Sequence, residues 1–164
     1  MTIKTRPNLS DLLQTGRALA EKTALAELSS SSALYSAIRY HYRTPGSEAR
    51  AALCLSASLA LGLTADSAAR LAASVETLHN ASLIQDDLQD RDELRRGKTA
   101  IWKQFGPDIA INATDLLIAC AFELVASAGS GSAHRLVTTM NRAIARTLQG
   151  QTKDLNAGRD LDFD

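Results

Sequence analysis

Asp86, Asp87 and Asp90 close an otherwise apolar stretch, His79-Asn80-Ala81-Ser82-Leu83-Ile84-Gln85-Asp86-Asp87-Leu88-Gln89-Asp90, and Arg95-Arg96-Gly97-Lys98 follow shortly after. On a helix, residues 79, 83, 86 and 90 share one face, so the carboxylates of Asp86 and Asp90 lie one turn apart and can point at the same place. Two carboxylates so placed repel each other unless a cation sits between them. Mg²⁺ suits the position, because it is held by one or two carboxylates and fills the rest of its sphere with water and phosphate oxygens. Guanidinium groups match phosphate geometry in a way that lysine does not. The chemistry these residues suggest is a diphosphate gripped by metal on one side and by arginine on the other. Acidic residues that only stabilise a helix belong at its N-terminus, whereas these end an apolar run.

The stretch from Glu76 to Gly106 carries a longer pattern. Glu76-x-x-His79 is followed by Ser82-Leu83-Ile84-x-Asp86-Asp87-x-x-Asp90, then Leu94-Arg95-Arg96-Gly97-Lys98, then Trp102 and Phe105-Gly106. This pattern resembles the first aspartate-rich motif of the trans-isoprenyl diphosphate synthases, the polyprenyl synthetases. The resemblance implies an all-α isoprenoid-synthase fold and head-to-tail prenyl transfer. It implies Mg²⁺ on Asp86, Asp87 and Asp90, with Asp86, Asp90 and Arg95 carrying the ionisation of an allylic diphosphate. It further implies that Arg95 binds that diphosphate, while Arg96, His79 and Arg50 hold isopentenyl diphosphate. Gly150-Gln151-x-x-Asp154-Leu155 is similar to a family segment that faces the diphosphates, which makes Gln151 and Asp154 substrate-binding candidates. Asp115 resembles the aspartate of a family Gly-Asp pair with Thr114 in place of the glycine, and a structural hydrogen-bonding role for it is equally open. Ala81 and Ser82, small residues just before Asp86, imply a tunnel not plugged early and a product of about twenty carbons or more by the same resemblance.

Two departures shape the expectation. Where the family carries Gly-Lys-Arg-x-Arg-Pro, this chain reads Gly46-Ser47-Glu48-Ala49-Arg50-Ala51. Arg50 survives, but Glu48 would repel a diphosphate, with Arg39 or Arg43 as candidate replacements. The family's second aspartate-rich motif has no counterpart here. The resemblance therefore covers the N-terminal part of the usual family chain, and prenyl transfer is expected only when the missing helices are supplied. A terpene-synthase-like ionisation without isopentenyl diphosphate, or a non-catalytic regulatory subunit, are the alternatives.

The remaining composition fits a helical scaffold. The 18 basic and 18 acidic residues cancel, which leaves no electrostatic case for nucleic acid or an anionic membrane surface. Hydrophobic residues reach 45% but aromatics only 4%. Alanine supplies much of the apolar content, and alanine favours helix. Cys54 and Cys120 both fall in apolar helical pattern, so two reduced thiols and a cytoplasmic setting are expected. No signal peptide is read at the N-terminus. The most apolar stretch, residues 109–125, is broken by Asn112, Asp115 and Glu123 and reads as a core helix.

A single domain over residues 1–164 is expected, a bundle of about six helices with no strands. Residues 1–8 read as a loose arm. Helices are expected over about 10–28, striped by Leu12, Leu13, Leu19 and Leu25, and over 33–42. A third covers 48–61, with Leu53, Leu55, Leu59 and Leu61 apolar. The fourth and longest runs from 64 to about 91, then a polar loop fills 92–106. A fifth helix covers 106–128 and a sixth 133–155, joined by a Gly-Ser connector, and the tail 156–164 frays. The expected partners are an allylic diphosphate, isopentenyl diphosphate and a second chain, met through a broad apolar face.

Overall fold

Alanine and glycine set the spacing of the helices. The computed structural model describes residues 8–160 apart from 45, 130 and 132, with side chains placed as far as Leu155. The chain divides into two compact units, Met1–Gly129 and Ser130–Asp164. In the first, α1 (Leu9–Leu25), α2 (Ala33–Tyr42) and α3 (Ala49–Ala60) lead into α4 (Ala65–Asp90), which packs most extensively against α6 (Pro107–Ala126). Ala68, Ala69, Ala72, Ala73 and Ala81 of α4 are buried, as are Ala110, Ala113 and Ala121 of α6. Gly16 brings α1 against α4 so closely that a Cβ there would lie 3.2 Å from the Ala69 carbonyl oxygen. Ser74 Oγ donates to the Ala121 carbonyl at 2.8 Å across the α4–α6 seam. Ile38, Leu55, Ile84, Leu117 and Leu124 are the large side chains fully buried between these helices. Each stabilises the fold by roughly 1.5 to 3 kcal/mol.

The ends of α4 position the aspartates. Thr64 caps its start, with Oγ1 accepting from the Ser67 amide at 3.2 Å. Arg91 stops it by taking a left-handed conformation, φ 58°, and the Asp92 amide then closes onto the Asp87 carbonyl at 2.9 Å. This is the common way for a helix to satisfy its last carbonyls. The chain next forms a small antiparallel hairpin, β1 (Leu94–Arg95) and β2 (Lys98–Thr99). Its two-residue turn, Arg96-Gly97, has φ of 53° and 76°, the positive values that a type I′ turn needs at both central positions. A short helix, α5 (Ile101–Phe105), follows, and Pro107 opens α6 where its missing N–H is no loss. Trp102 Nε1 donates to the Asp92 carbonyl at 2.7 Å, and Lys103 Nζ meets Glu93 at 2.7 Å, tying this connection to itself.

The all-α class is borne out, with seven helices among the described residues instead of six. The extra helix and the hairpin both fall in residues 92–106, expected as a polar loop without strands. Two-residue strands are too short for a period of two to register in the sequence. The leucine stripes hold in part: Leu12, Leu13, Leu25 and Leu59 pack half-buried against the core, but they do not fill it. On α1 it is Gly16, Ala20 and Ala24 that are buried, because small residues let the helices approach. On α3 Leu55 is buried, but Leu53 and Leu61 are 74% and 81% exposed. Cys54 and Cys120 are both free thiols, the second of them buried. The loose arm at 1–7 and parts of the turn at 44–46 and the connector at 129–132 lie outside the described residues.

The second unit holds α7 (Ala133–Asp160), which runs past the expected end at 155. Leu136, Val137, Met140 and Ile144 share one stripe of this helix, continued by Leu148, Gln151 and Leu155. Residues 161–164, expected to fray, lie outside the described residues.

Candidate functional site

His79, Leu83 and Asp86 are half-buried and Asp90 is exposed, so the stripe expected on α4 is one partly open face. Asp86 and Asp90 thus sit at the helix end with the hairpin arginines beyond them. Asp87, one position around the helix, is 3% exposed. Arg95 Nε donates to Asp87 Oδ1 at 2.7 Å and Arg95 Nη2 donates to the same oxygen. Arg95 Nη2 also lies 3.8 Å from Asp92. The Asp87 bond is the main influence holding the Arg95 guanidinium charged, with Asp92 and Asp86 adding to it. Burial raises the Asp87 pKa, against the pull of Arg95.

This pairing changes the expected metal set. Asp87, read as a third ligand, faces Arg95. Arg95, read as a diphosphate ligand, is committed to Asp87. Among the described residues no cluster of three or more histidine, cysteine or acidic side chains could enclose a metal ion. Asp86 and Asp90 remain, two hard oxygen donors one turn apart at an open helix end. That donor set fits Mg²⁺, which completes its sphere with waters and phosphate oxygens and does not need an all-protein cage.

Arg96 leaves the hairpin in the other direction. Its Nη1 donates to the Thr44 carbonyl at 3.3 Å, and its guanidinium lies against Gly46, where a Cβ would come within 2.5 to 2.6 Å of it. Lys98 Nζ donates to the Arg43 carbonyl at 3.4 Å and lies over the Tyr40 ring. The hairpin is therefore seated on the α2–α3 connection. Two clefts flank this seat. The larger, about 490 Å³ and open to solvent, is lined by Arg17, His41, Glu48, Glu76, Asn80 and Arg96 among others. The smaller, about 320 Å³, is bordered by Tyr40, Asp87, Arg95, Arg96 and Lys98. The larger cleft follows the Ala72 to Asn80 stretch of α4 and is lined by polar as well as apolar side chains. It is not the apolar tunnel expected beneath Asp86 and Asp90.

Four charged side chains, Arg17, Glu48, Glu76 and Arg96, line the larger cleft. Burial raises the Glu76 pKa, and the nearby Glu48 charge raises it further, against Arg96 and Arg50. Glu76 Oε2 has no hydrogen-bond partner among the described residues. Glu48 pairs with Arg17 Nη1 at 3.5 Å, and Arg17 Nη2 donates to the Tyr42 carbonyl. The expected compensating cations, Arg39 and Arg43, are exposed, and Arg39 lies over the Tyr35 ring. Arg17 stands beside Glu48 in their place. Arg50 Nη1 and His79 Nε2 are 3.1 Å apart, joining α3 to α4. Burial lowers the His79 pKa, with Arg50, Arg96 and Arg95 adding to the shift; a neutral ring can accept from Arg50. Burial also pushes His41 down to about 4, while its bond to Asn80 opposes the shift and the charges of Arg96 and His79 reinforce it.

The structure thus brings together Asp86, Asp87, Asp90, Arg95, Arg96, Arg50 and His79 around α4 and its flanking segments. Asp115 is exposed on α6. Gln151 and Asp154 lie on α7, in the second unit, the first half-buried and the second exposed. Arg17 and His41 belong to no motif read in the sequence. Only their burial and partners mark them.

The polyprenyl synthetase family model matches residues 31–164. Geranylgeranyl pyrophosphate synthase 7 of Arabidopsis thaliana is 39% identical over 132 residues, which is 76% of this chain and 38% of that protein. The large subunit 1 of the heterodimeric geranylgeranyl pyrophosphate synthase of the same plant is 38% identical, over 79% of this chain and 36% of its own. Among solved structures, the geranylgeranyl pyrophosphate synthetase of the archaeon Geoglobus acetivorans superposes with a TM-score of 0.81 at 29% identity, over 90% of this chain and 48% of the other. The chain therefore spans less than two fifths of the curated relatives it matches here, and about half of that solved structure.

Proposed function

We propose that this chain, which belongs to the polyprenyl synthetase family, carries the diphosphate-ionising half of a prenyltransferase that joins an allylic diphosphate to isopentenyl diphosphate. One observation carries the reading. The carboxylates of Asp86 and Asp90 stand at the end of α4, beside a hairpin whose consecutive arginines turn to two different seats. In this reading the carbon–oxygen bond of the allylic diphosphate breaks and the electron pair leaves on oxygen. The isopentenyl double bond supplies the pair for the new carbon–carbon bond, and a proton is then lost.

Asp86 and Asp90 would hold Mg²⁺, which when bound supplies Lewis-acid neutralisation of the leaving diphosphate. Asp87 fixes the orientation of Arg95, so that a charged guanidinium stands beside the leaving group without having to reorganise. Arg96, Arg50 and a neutral His79 hold the second diphosphate, and Gln151 and Asp154 are further substrate-binding residues of this proposal. Catalysis requires helices that are not among those described, as part of the same polypeptide or of a second chain, and the heterodimeric relative makes a second chain a concrete option. A single domain over 1–164 and a cytoplasmic setting belong to the same proposal.

The test incubates the chain, together with the completing half, with an allylic diphosphate and Mg²⁺, with and without isopentenyl diphosphate. A longer diphosphate formed only with both substrates supports the reading. A diphosphate-free hydrocarbon or alcohol formed from the allylic substrate alone replaces it with a terpene-synthase-like activity, which Glu48 in the larger cleft would permit. Full turnover after Asp86→Ala and Asp90→Ala makes the chain a regulatory subunit.

A further inference from the structure

Two arginines far apart in sequence reach the same cleft. Arg17 arrives from α1 and Arg96 from the hairpin, and each is tied down through a backbone carbonyl, Tyr42 at the end of α2 for the first and Thr44 just after it for the second. A guanidinium has five N–H donors. Arg17 places one on the Tyr42 carbonyl and a second, at 3.5 Å, on Glu48 Oε1. The side chains of that ion pair are 35% and 27% exposed, so solvent screens it and it is readily exchanged. Glu48 itself sits at the N-cap of α3 with φ 50° and makes no capping bond with its side chain. Among the described residues, Arg17 is the one side chain bonded to its carboxylate. Arg17 is thus anchored through one nitrogen and loosely occupied through another. Across the cleft, Gly46 leaves room for the Arg96 guanidinium.

We propose that Arg17 is a substrate-positioning residue of this cleft: together with Arg96 it holds the diphosphate of the second substrate, and Glu48 is the internal anion that this diphosphate displaces. The proposal rests on the reading above that Arg96 faces the isopentenyl diphosphate. A diphosphate carries more charge than one carboxylate, and its oxygens match the guanidinium fork. It therefore competes with Glu48 for the Nη1 edge of Arg17 while the Tyr42 carbonyl keeps the other edge aimed. Arg17 in this way supplies from α1 a cation that the α2–α3 connection, with Ser47 and Glu48, does not.

The test is metal-free binding of inorganic pyrophosphate to the full 164-residue chain, followed by calorimetry in the presence of a chelator so that Asp86 and Asp90 contribute nothing through metal. Wild type binds; Arg17→Gln weakens binding by about tenfold or more. Glu48→Gln tightens it. The double variant has the net charge of wild type and so separates direct contact from mere charge balance: it binds more weakly than wild type if Arg17 touches the anion, and binding equal to wild type overturns the proposal. An Arg17→Gln chain that binds like wild type also overturns it. Should Arg17→Gln fail to fold for want of its tie to Tyr42, Glu48→Gln alone decides, and unchanged affinity overturns the proposal. A parallel titration with dimethylallyl diphosphate and Mg²⁺ keeps the two readings apart. Failure there, abolishing the Asp86 and Asp90 site, condemns the prenyltransferase reading. Failure of metal-free pyrophosphate binding in wild type condemns Arg17's role alone.

Discussion

At the end of α4, Arg95 commits its guanidinium to a buried carboxylate; one residue on, Arg96 rests on a backbone carbonyl and a glycine and keeps most of its donors uncommitted by any bond described. The first arrangement fixes a geometry. Asp87 is enclosed by protein, and its partner satisfies it through two nitrogens. The second arrangement keeps a cation available. Its contacts are with neutral groups or, for Arg17 beside it, with a half-exposed acid. A buried ion pair is costly to break and a screened one is not. The molecule therefore has a rigid arginine and a recruitable one, joined by a single peptide bond.

Breaking the rigid side has the largest expected effect. Asp87→Ala leaves Arg95 without its carboxylate partner and lowers the unfolding free energy by about 2 to 4 kcal/mol in urea titration, a range discounted because Arg95 is one-third exposed. A loss below half a kcal/mol would place the pair on the recruitable side of the comparison.

The second effect concerns His41, which borders both clefts. Its folded pKa of about 4 lies below the usual imidazole value of 6.5, so the unfolded chain takes up a proton first as pH falls. His41 therefore favours the fold above about pH 6.5, and that contribution is lost between 6.5 and about 4. The loss is on the order of 3 kcal/mol. Subtracting the pH dependence of His41→Gln stability from that of wild type isolates it. Glu76 runs the other way, since its raised pKa removes stability as pH climbs through the carboxylate range.

The smallest effects contrast two glycines. Gly97 at φ 76° needs its freedom, and Gly97→Ala costs about 1 kcal/mol of stability. Gly46→Ala costs under about 0.5 kcal/mol, because the atoms that a Cβ meets are the far end of the flexible Arg96 side chain. It nonetheless weakens pyrophosphate binding by moving that guanidinium. Equal melting temperatures for the two variants would erase the distinction.

Much of this arrangement could be read from residue order. The α4 stripe, its acidic end and the bounds of α2 follow from periodicity and capping, and the structure has Ala33–Tyr42 where the sequence places it. What escaped depends on partners distant in sequence. Whether Asp87 faces a metal or an arginine depends on where a two-residue hairpin folds back, and two residues cannot announce a strand. Arg17 sits on α1 beside buried Gly16, with no local sign that Tyr42 and Glu48 wait across the gap. Leu53 and Leu61 looked like core because they are leucines, while alanines filled the interior.

The turn at Arg96-Gly97 has one more consequence. Successive α-carbons stand about 3.8 Å apart whatever the loop around them does, and Arg95 and Arg96 are successive. Their side chains diverge toward Asp87 and toward Thr44. The distance between the two anchorages is thus a covalent ruler, and selection can alter what binds at either mark far more easily than it can move the marks apart.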